Sequence, residues 1–264
     1  MMDQRVDIQM RIATEDHEVA YMRGTGNRLV VSLGGVGTKP NEMPPFEFVG
    51  TASQGGENHV ILVTERARTW MNSPDLPEAI VKEIETVVAR EAIDEVVALG
   101  NSMGGFMALV LPTLTRVDTV VALSPQFSMH PKVVPEETRW QKWRRRFPTY
   151  RHRQVPAPQD GTRYVVLHGD TPEERIHWAR FPQAPKTFNH FILRGESHDL
   201  VKALKKLDIM RPLLERAMDV KTRQVRKLLE SHFTVVRRED LPQAEQTAPS
   251  YPATLGQETA NDKV

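Results

Sequence analysis

Ser102 stands in Gly100-Asn101-Ser102-Met103-Gly104, a serine with glycine two residues before it and two after. This spacing is what a very tight strand-to-helix turn demands. The central residue sits in strained backbone, and a larger side chain at either flank would clash as the helix packs back on the strand. A serine so placed projects its hydroxyl from the carboxyl end of a strand, and the helix N-terminus beneath it stabilises developing negative charge. The chemistry is attack on a carbonyl. It requires a neighbouring base, because a serine hydroxyl is a weak nucleophile. Nine histidines are available to serve.

The elements around the serine suit that role. Val96-Val97-Ala98-Leu99 is a short apolar run that ends at Gly100, and residues 105–114 have a helical pattern. Further apolar runs at Leu29-Val30-Val31-Ser32-Leu33, Val60-Ile61-Leu62-Val63, Val120-Val121-Ala122-Leu123, Val165-Val166-Leu167 and Phe191-Ile192-Leu193 read as buried strands. Between two of them, Ile80, Ile84, Val87 and Val88 share one helix face, and a helical stretch near Glu173 to Phe181 lies between the last two. Strands alternating with helices imply a mainly parallel sheet. The opening runs, with Ile8 and Met10 alternating and then Val19 to Met22, have no helix between them and should pair antiparallel at one edge.

The motif in this setting resembles the nucleophile elbow of the α/β-hydrolase superfamily, and the resemblance covers about Leu29 to Leu207. It implies an α/β fold with a mostly parallel central sheet and helices on both faces. It also implies a nucleophile after the fifth strand and partners in the order serine, acid, histidine. On that order the base is His198, in Gly195-Glu196-Ser197-His198-Asp199 after the last apolar strand, while His59, His177 and His190 are expected to be structural or surface residues. The acid belongs after the preceding strand, which ends His168-Gly169-Asp170-Thr171-Pro172-Glu173-Glu174. Asp170 is the expected acid, as the aspartate of that loop. Glu174 is the alternative, with Glu173 beside it, since many relatives place the acid a few residues past the glycine. The oxyanion hole is expected from the Met103 N–H and from Gly35 or Val36 in Gly34-Gly35-Val36-Gly37.

Between Pro125 and Gly161 the alternation stops and prolines recur, with Trp140, Trp143 and Arg144-Arg145-Arg146 among them. This reads as a cap inserted after the sixth strand, at about 126–160. Trp140, Trp143 and Arg144 are its candidate substrate contacts, set against the plainer reading of a solvated basic face. One hydrolase domain is expected over 1–238, and a Pro-, Gln-, Thr- and Ala-rich disordered tail over 239–264.

Composition bounds the rest. Net charge is +1, which gives no general argument for nucleic acid as a partner. There is no cysteine, so disulfides and thiolate ligation are excluded. No metal-binding spacing is present, no dinucleotide fingerprint follows the first strand, and no cofactor is expected. No stretch approaches the roughly 20 apolar residues of a membrane helix, and residues 1–11 lack a signal-like apolar core, so a cytoplasmic protein is expected. The expected function is a serine hydrolase acting on an ester of a small or glycan-linked acid. An acyltransferase using the same three residues and a non-catalytic binding protein on this fold are the alternatives.

Overall fold

The computed structural model describes residues 7–147, 149–181 and 186–246. Among these residues, nine strands form one sheet in the order β1-β2-β4-β3-β5-β6-β7-β8-β9. They are β1 (Ile8–Ala13), β2 (His17–Met22), β3 (Arg28–Leu33), β4 (His59–Glu65), β5 (Glu95–Asn101), β6 (Thr119–Leu123), β7 (Arg163–His168), β8 (Phe188–Leu193) and β9 (Val235–Arg237). The six strands from β4 to β8 run parallel, with β1 and β2 antiparallel at one edge and β9 antiparallel at the other. Strands buried on both faces read as continuous apolar runs, which is why β3 to β8 stand out in the sequence.

Alternate residues of the strands feed two cores. Leu29, Val31 and Leu33 face α2 (Leu76–Arg90) and α3 (Met103–Val110), whereas Val30 faces the side covered by α6 (Leu200–Lys206), α7 (Met210–Met218) and α8 (Thr222–Glu230). The short α1 (Val49–Ser53) also lies on that second side, through Ala52. The stretch after Ile209 folds as two helices, broken where Val220 takes a positive φ of 52°. Among the described residues, no helix is long and apolar enough to cross a membrane.

After β6 the chain leaves the regular alternation until β7. Among the described residues of this segment the one α-helix is α4 (Gln141–Arg144), and Phe127, Met129, Val134, Trp143 and Val155 join the core shared with α2 and α3. The helix α5 (Pro172–Trp178) follows β7. The expected tail departs from disorder at its start. A 3-10 turn spans Arg238–Asp240 and α9 spans Gln243–Gln246, with Glu245 bonded to Arg194. Positions 247–264 of the expected tail, and Pro148 of the insertion, lie outside the described residues.

Candidate active site

Ser102 sits between β5 and α3 with φ 55° and ψ −117°, the strained geometry its motif requires. The turn is closed so tightly that a Cβ on Gly100 would lie 2.2 Å from the Gly104 carbonyl carbon, and one on Gly104 would lie 1.9 Å from Leu33 O. The Ser102 N–H donates to Leu123 O at 2.8 Å, which ties the elbow to β6.

His198 comes from the loop between β8 and α6, and its Nε2 lies 2.8 Å from Ser102 Oγ. Its Nδ1 lies 2.8 Å from Oε1 of Glu174, a residue of the first turn of α5. The contact depends on close backbone approach. A Cβ on Gly169 would lie 2.3 Å from Glu196 O, so the end of β7 and the loop carrying His198 pack main chain against main chain.

The expected acid, Asp170, is not part of this relay. Its N–H donates to Glu196 O at 2.7 Å, and its carboxylate pairs with Arg194 at 3.1 Å. The chain must still turn into α5 before a carboxylate faces His198, and Glu174 is the first residue past that turn to do so. Burial pushes the Glu174 carboxyl up, but the hydrogen bond from His198 and the charges of His198, His168 and Arg139 outweigh it and bring it down to about 2.

Behind Glu174 stands a second buried pair. Arg139 Nη1 donates to Glu174 Oε1 at 3.2 Å and its Nη2 donates to Glu137 Oε2 at 2.6 Å, while His177 Nε2 lies 2.8 Å from the same Glu137 oxygen. Burial raises the Glu137 carboxyl, yet the bonds from His177 and Arg139 hold it at about 2. Arg139 and Glu137 belong to the segment inserted after β6, so that segment reaches the carboxylate beside His198.

Ser102 Oγ has a second neighbour. Gln126 Nε2 donates to it at 2.9 Å, and Trp70 Nε1 donates to Gln126 Oε1 at 2.9 Å. Neither residue belongs to a sequence motif. The available signal was the position of Gln126 just past β6, at the carboxyl end of a strand next to the elbow, where sites in such sheets gather. Trp70 lies in a loop without periodicity and gave no signal.

Of the expected oxyanion donors, Met103 opens α3, and the first N–H groups of a helix have no intrahelical acceptor. The Gly35 N–H is bonded to the Glu47 carboxyl, whose pKa burial pushes up to about 7 against that bond and the charge of Lys205. Of the two donors expected in that loop, this leaves the Val36 N–H. The Val36 carbonyl accepts from Arg68 Nε at 3.0 Å, which anchors the peptide joining Val36 to Gly37.

The expected substrate contacts separate. The Trp140 ring lies 5.9 Å from the His198 ring and 6.2 Å from Trp70, so it borders the site. Trp143 is buried beneath the Arg68 guanidinium, 4.9 Å from its ring centre. Arg144 donates to the carbonyls of Glu137 and Val134, so its guanidinium holds the segment's own backbone. Among the described residues, no group of three or more His, Asp or Glu side chains is arranged to hold a metal ion.

A serine in an elbow, a histidine on its oxygen and a carboxylate on that histidine, all at the carboxyl ends of a mainly parallel sheet, define a hydrolase-type α/β protein. The model of the alpha/beta hydrolase family matches residues 42–249, and the chain belongs to that family, which makes it a hydrolase by class. No curated protein matches the chain significantly. Among solved structures it is similar to an esterase from the Planctomycetes species Thermogutta terrifontis, at 11% identity and a TM-score of 0.55, covering 85% of this chain and 93% of that one. It is similar to the acylaminoacyl peptidase of Pyrococcus horikoshii at 10% identity and a TM-score of 0.57, covering 81% of this chain and 42% of that one. An esterase/lipase from an uncultured bacterium aligns at 11% identity and a TM-score of 0.46, over 64% of this chain and 66% of its own.

Proposed function

We infer that the protein is a serine hydrolase that cleaves an acyl ester through an acyl-enzyme on Ser102. His198 Nε2 takes the Ser102 proton as Oγ bonds to the acyl carbon. The carbonyl oxygen becomes an oxyanion facing the N–H groups of Met103 and Val36. The proton then passes to the leaving alkoxy oxygen as its bond to the acyl carbon breaks. Water repeats the sequence, giving its proton to His198 and its oxygen to the acyl carbon, and Ser102 is restored with its hydrogen. Glu174 holds His198 in the tautomer that leaves Nε2 free, and stabilises the imidazolium formed in each half.

The observation that carries this reading is the pair of 2.8 Å contacts from Ser102 through His198 to Glu174, starting from a serine in elbow geometry. The segment after β6 serves as a cap in this reading, with Trp140 as its contribution to the acyl pocket. A fluorophosphonate probe should label wild-type protein on the peptide containing Ser102, and nitrophenyl esters of graded chain length should report the acyl preference. Full labelling of a Ser102→Ala variant would sink the assignment.

A further inference from the structure

The hydrogen bonds at Ser102 have a fixed direction, which follows from donor and acceptor chemistry alone. Trp70 Nε1 can only donate, so the Gln126 atom facing it at 2.9 Å is the carbonyl oxygen. The Gln126 amide nitrogen is then the group that faces Ser102 Oγ, also at 2.9 Å. At the other end, ionised Glu174 can only accept, so His198 Nδ1 carries a hydrogen, and in the neutral imidazole that acts as base Nε2 is the bare nitrogen. The Ser102 hydroxyl hydrogen therefore points at His198 Nε2, and its oxygen accepts from Gln126.

The groups that impose this direction are buried and held. Gln126 and Trp70 are both fully buried, at 0% exposure. The Trp70 backbone has a φ of 51°, between Arg68 at 52° and Met71 at 63°. Non-glycine residues at positive φ cost of order 1 kcal/mol or more each and persist only where the surroundings enforce it. Trp140 and Phe147 flank the indole, with ring centres at 6.2 and 5.9 Å. The sheet order adds a further point. β3, with the oxyanion loop, adjoins β5 on one side, and β6, with Gln126, adjoins it on the other. The Gln126 amide thus reaches Oγ from the side opposite Val36.

We propose that Gln126 is a catalytic residue, and Trp70 its positioning residue: the amide donates to Ser102 Oγ as that oxygen gains charge on losing its proton to His198. The proposal rests on the reading of Ser102 as nucleophile. A neutral donor aimed at the attacking oxygen stabilises the negative charge that builds there and leaves His198 as the one acceptor for the hydroxyl hydrogen. A carboxylate in its place would do the reverse, taking that hydrogen and adding charge of the wrong sign.

The test compares wild type with Gln126→Met, Gln126→Glu and Trp70→Phe, following the rate of fluorophosphonate labelling, kcat and KM on a nitrophenyl ester, and thermal stability. Gln126→Met should slow labelling and kcat by roughly 100-fold, the lower end for loss of one preorganised donor, with KM nearly unchanged. Trp70→Phe should act in the same direction more weakly, because the amide is no longer held. Gln126→Glu should be the most impaired at neutral pH, and its deficit relative to wild type should narrow as the pH falls and the new carboxyl takes up a proton. A packing role would not produce that pH signature, and this nearly isosteric variant decides the matter if the Met variant does not fold. Labelling of Gln126→Met at the wild-type rate would overturn the proposal while leaving Ser102 as nucleophile. Wild-type protein that takes no label on Ser102 would overturn both.

Discussion

Glu174 offers one oxygen to two partners: the Oε1 that lies 2.8 Å from His198 Nδ1 is also 3.2 Å from Arg139 Nη1. The carboxylate facing the histidine is thus charged, buried and shared, and its replacement should have consequences beyond the loss of one bond. Glu174→Gln should lower kcat by about 10³ to 10⁴, as an amide can present the wrong group to His198 and fix the wrong tautomer. Asp170→Asn should change kcat little, because Asp170 serves Arg194. Steady-state kinetics on the two variants decide between them, and the reverse pattern would return the acid role to Asp170.

Arg139 neutralises two carboxylates that are each only 1% exposed in their side chains. Removing it takes from both the guanidinium they share and leaves each with only its histidine, so Arg139→Met should destabilise the fold by about 2 to 4 kcal/mol, the range for breaking a buried pair less some solvent screening at the arginine. Adding Glu137→Gln should recover part of that loss. Urea midpoints of the single and double variants give the coupling, and strictly additive losses would contradict the shared-charge account.

Acid should act on buried histidines before carboxylates. Burial pushes the His168 imidazole down to about 4 from 6.5, so through that window the unfolded chain binds a proton the folded one refuses, and stability falls as pH falls. Glu47 works in the opposite sense. It keeps its proton up to about 7 where the unfolded carboxyl loses it near 4.5, so its contribution falls as pH rises through that range. The two offset each other, and Glu47→Gln should make stability drop more steeply between pH 6.5 and 4.5. Below about 4.5, loss of charge on Glu174 and Glu137, both held near 2, adds to the decline. Urea midpoints against pH would show it; an unchanged slope in Glu47→Gln would count against the buried proton.

Gly169→Ala should harm both fold and activity. The added methyl would meet Glu196 O at 2.3 Å and force the loop carrying His198 away from β7. A loss of a few kcal/mol in stability is expected for such a strained site, with a fall in kcat larger than any change in KM. Wild-type kcat at full occupancy would show that the loop position is not critical.

The strands, the elbow and the histidine were legible because each has a local signature. β5 is a run of apolar residues, Gly100 and Gly104 bracket Ser102, and His198 follows the last parallel strand. Asp170 and Glu174 could not be separated that way, since both sit in one polar stretch and the choice depends on where α5 begins relative to Glu196. Gln126 had only its place just past β6 to mark it, and Trp70 and Arg139 had nothing, for a related reason. Each matters through a partner far away in the chain, and no spacing encodes that meeting. The short β9 and α1 were also silent, being too brief to show periodicity.

The salt link from Arg139 to Glu174 has a further consequence. The inserted segment and the Ser102–His198–Glu174 chain are not independent parts, because Arg139 holds the carboxylate that His198 meets. Any displacement of residues 137–139 would alter the electric field at His198, and on the proposal that this segment caps the site it would alter access to Ser102 at the same moment. On that proposal entry and reactivity rise and fall together, and a molecule bound against the segment tunes the chemistry without ever touching the serine.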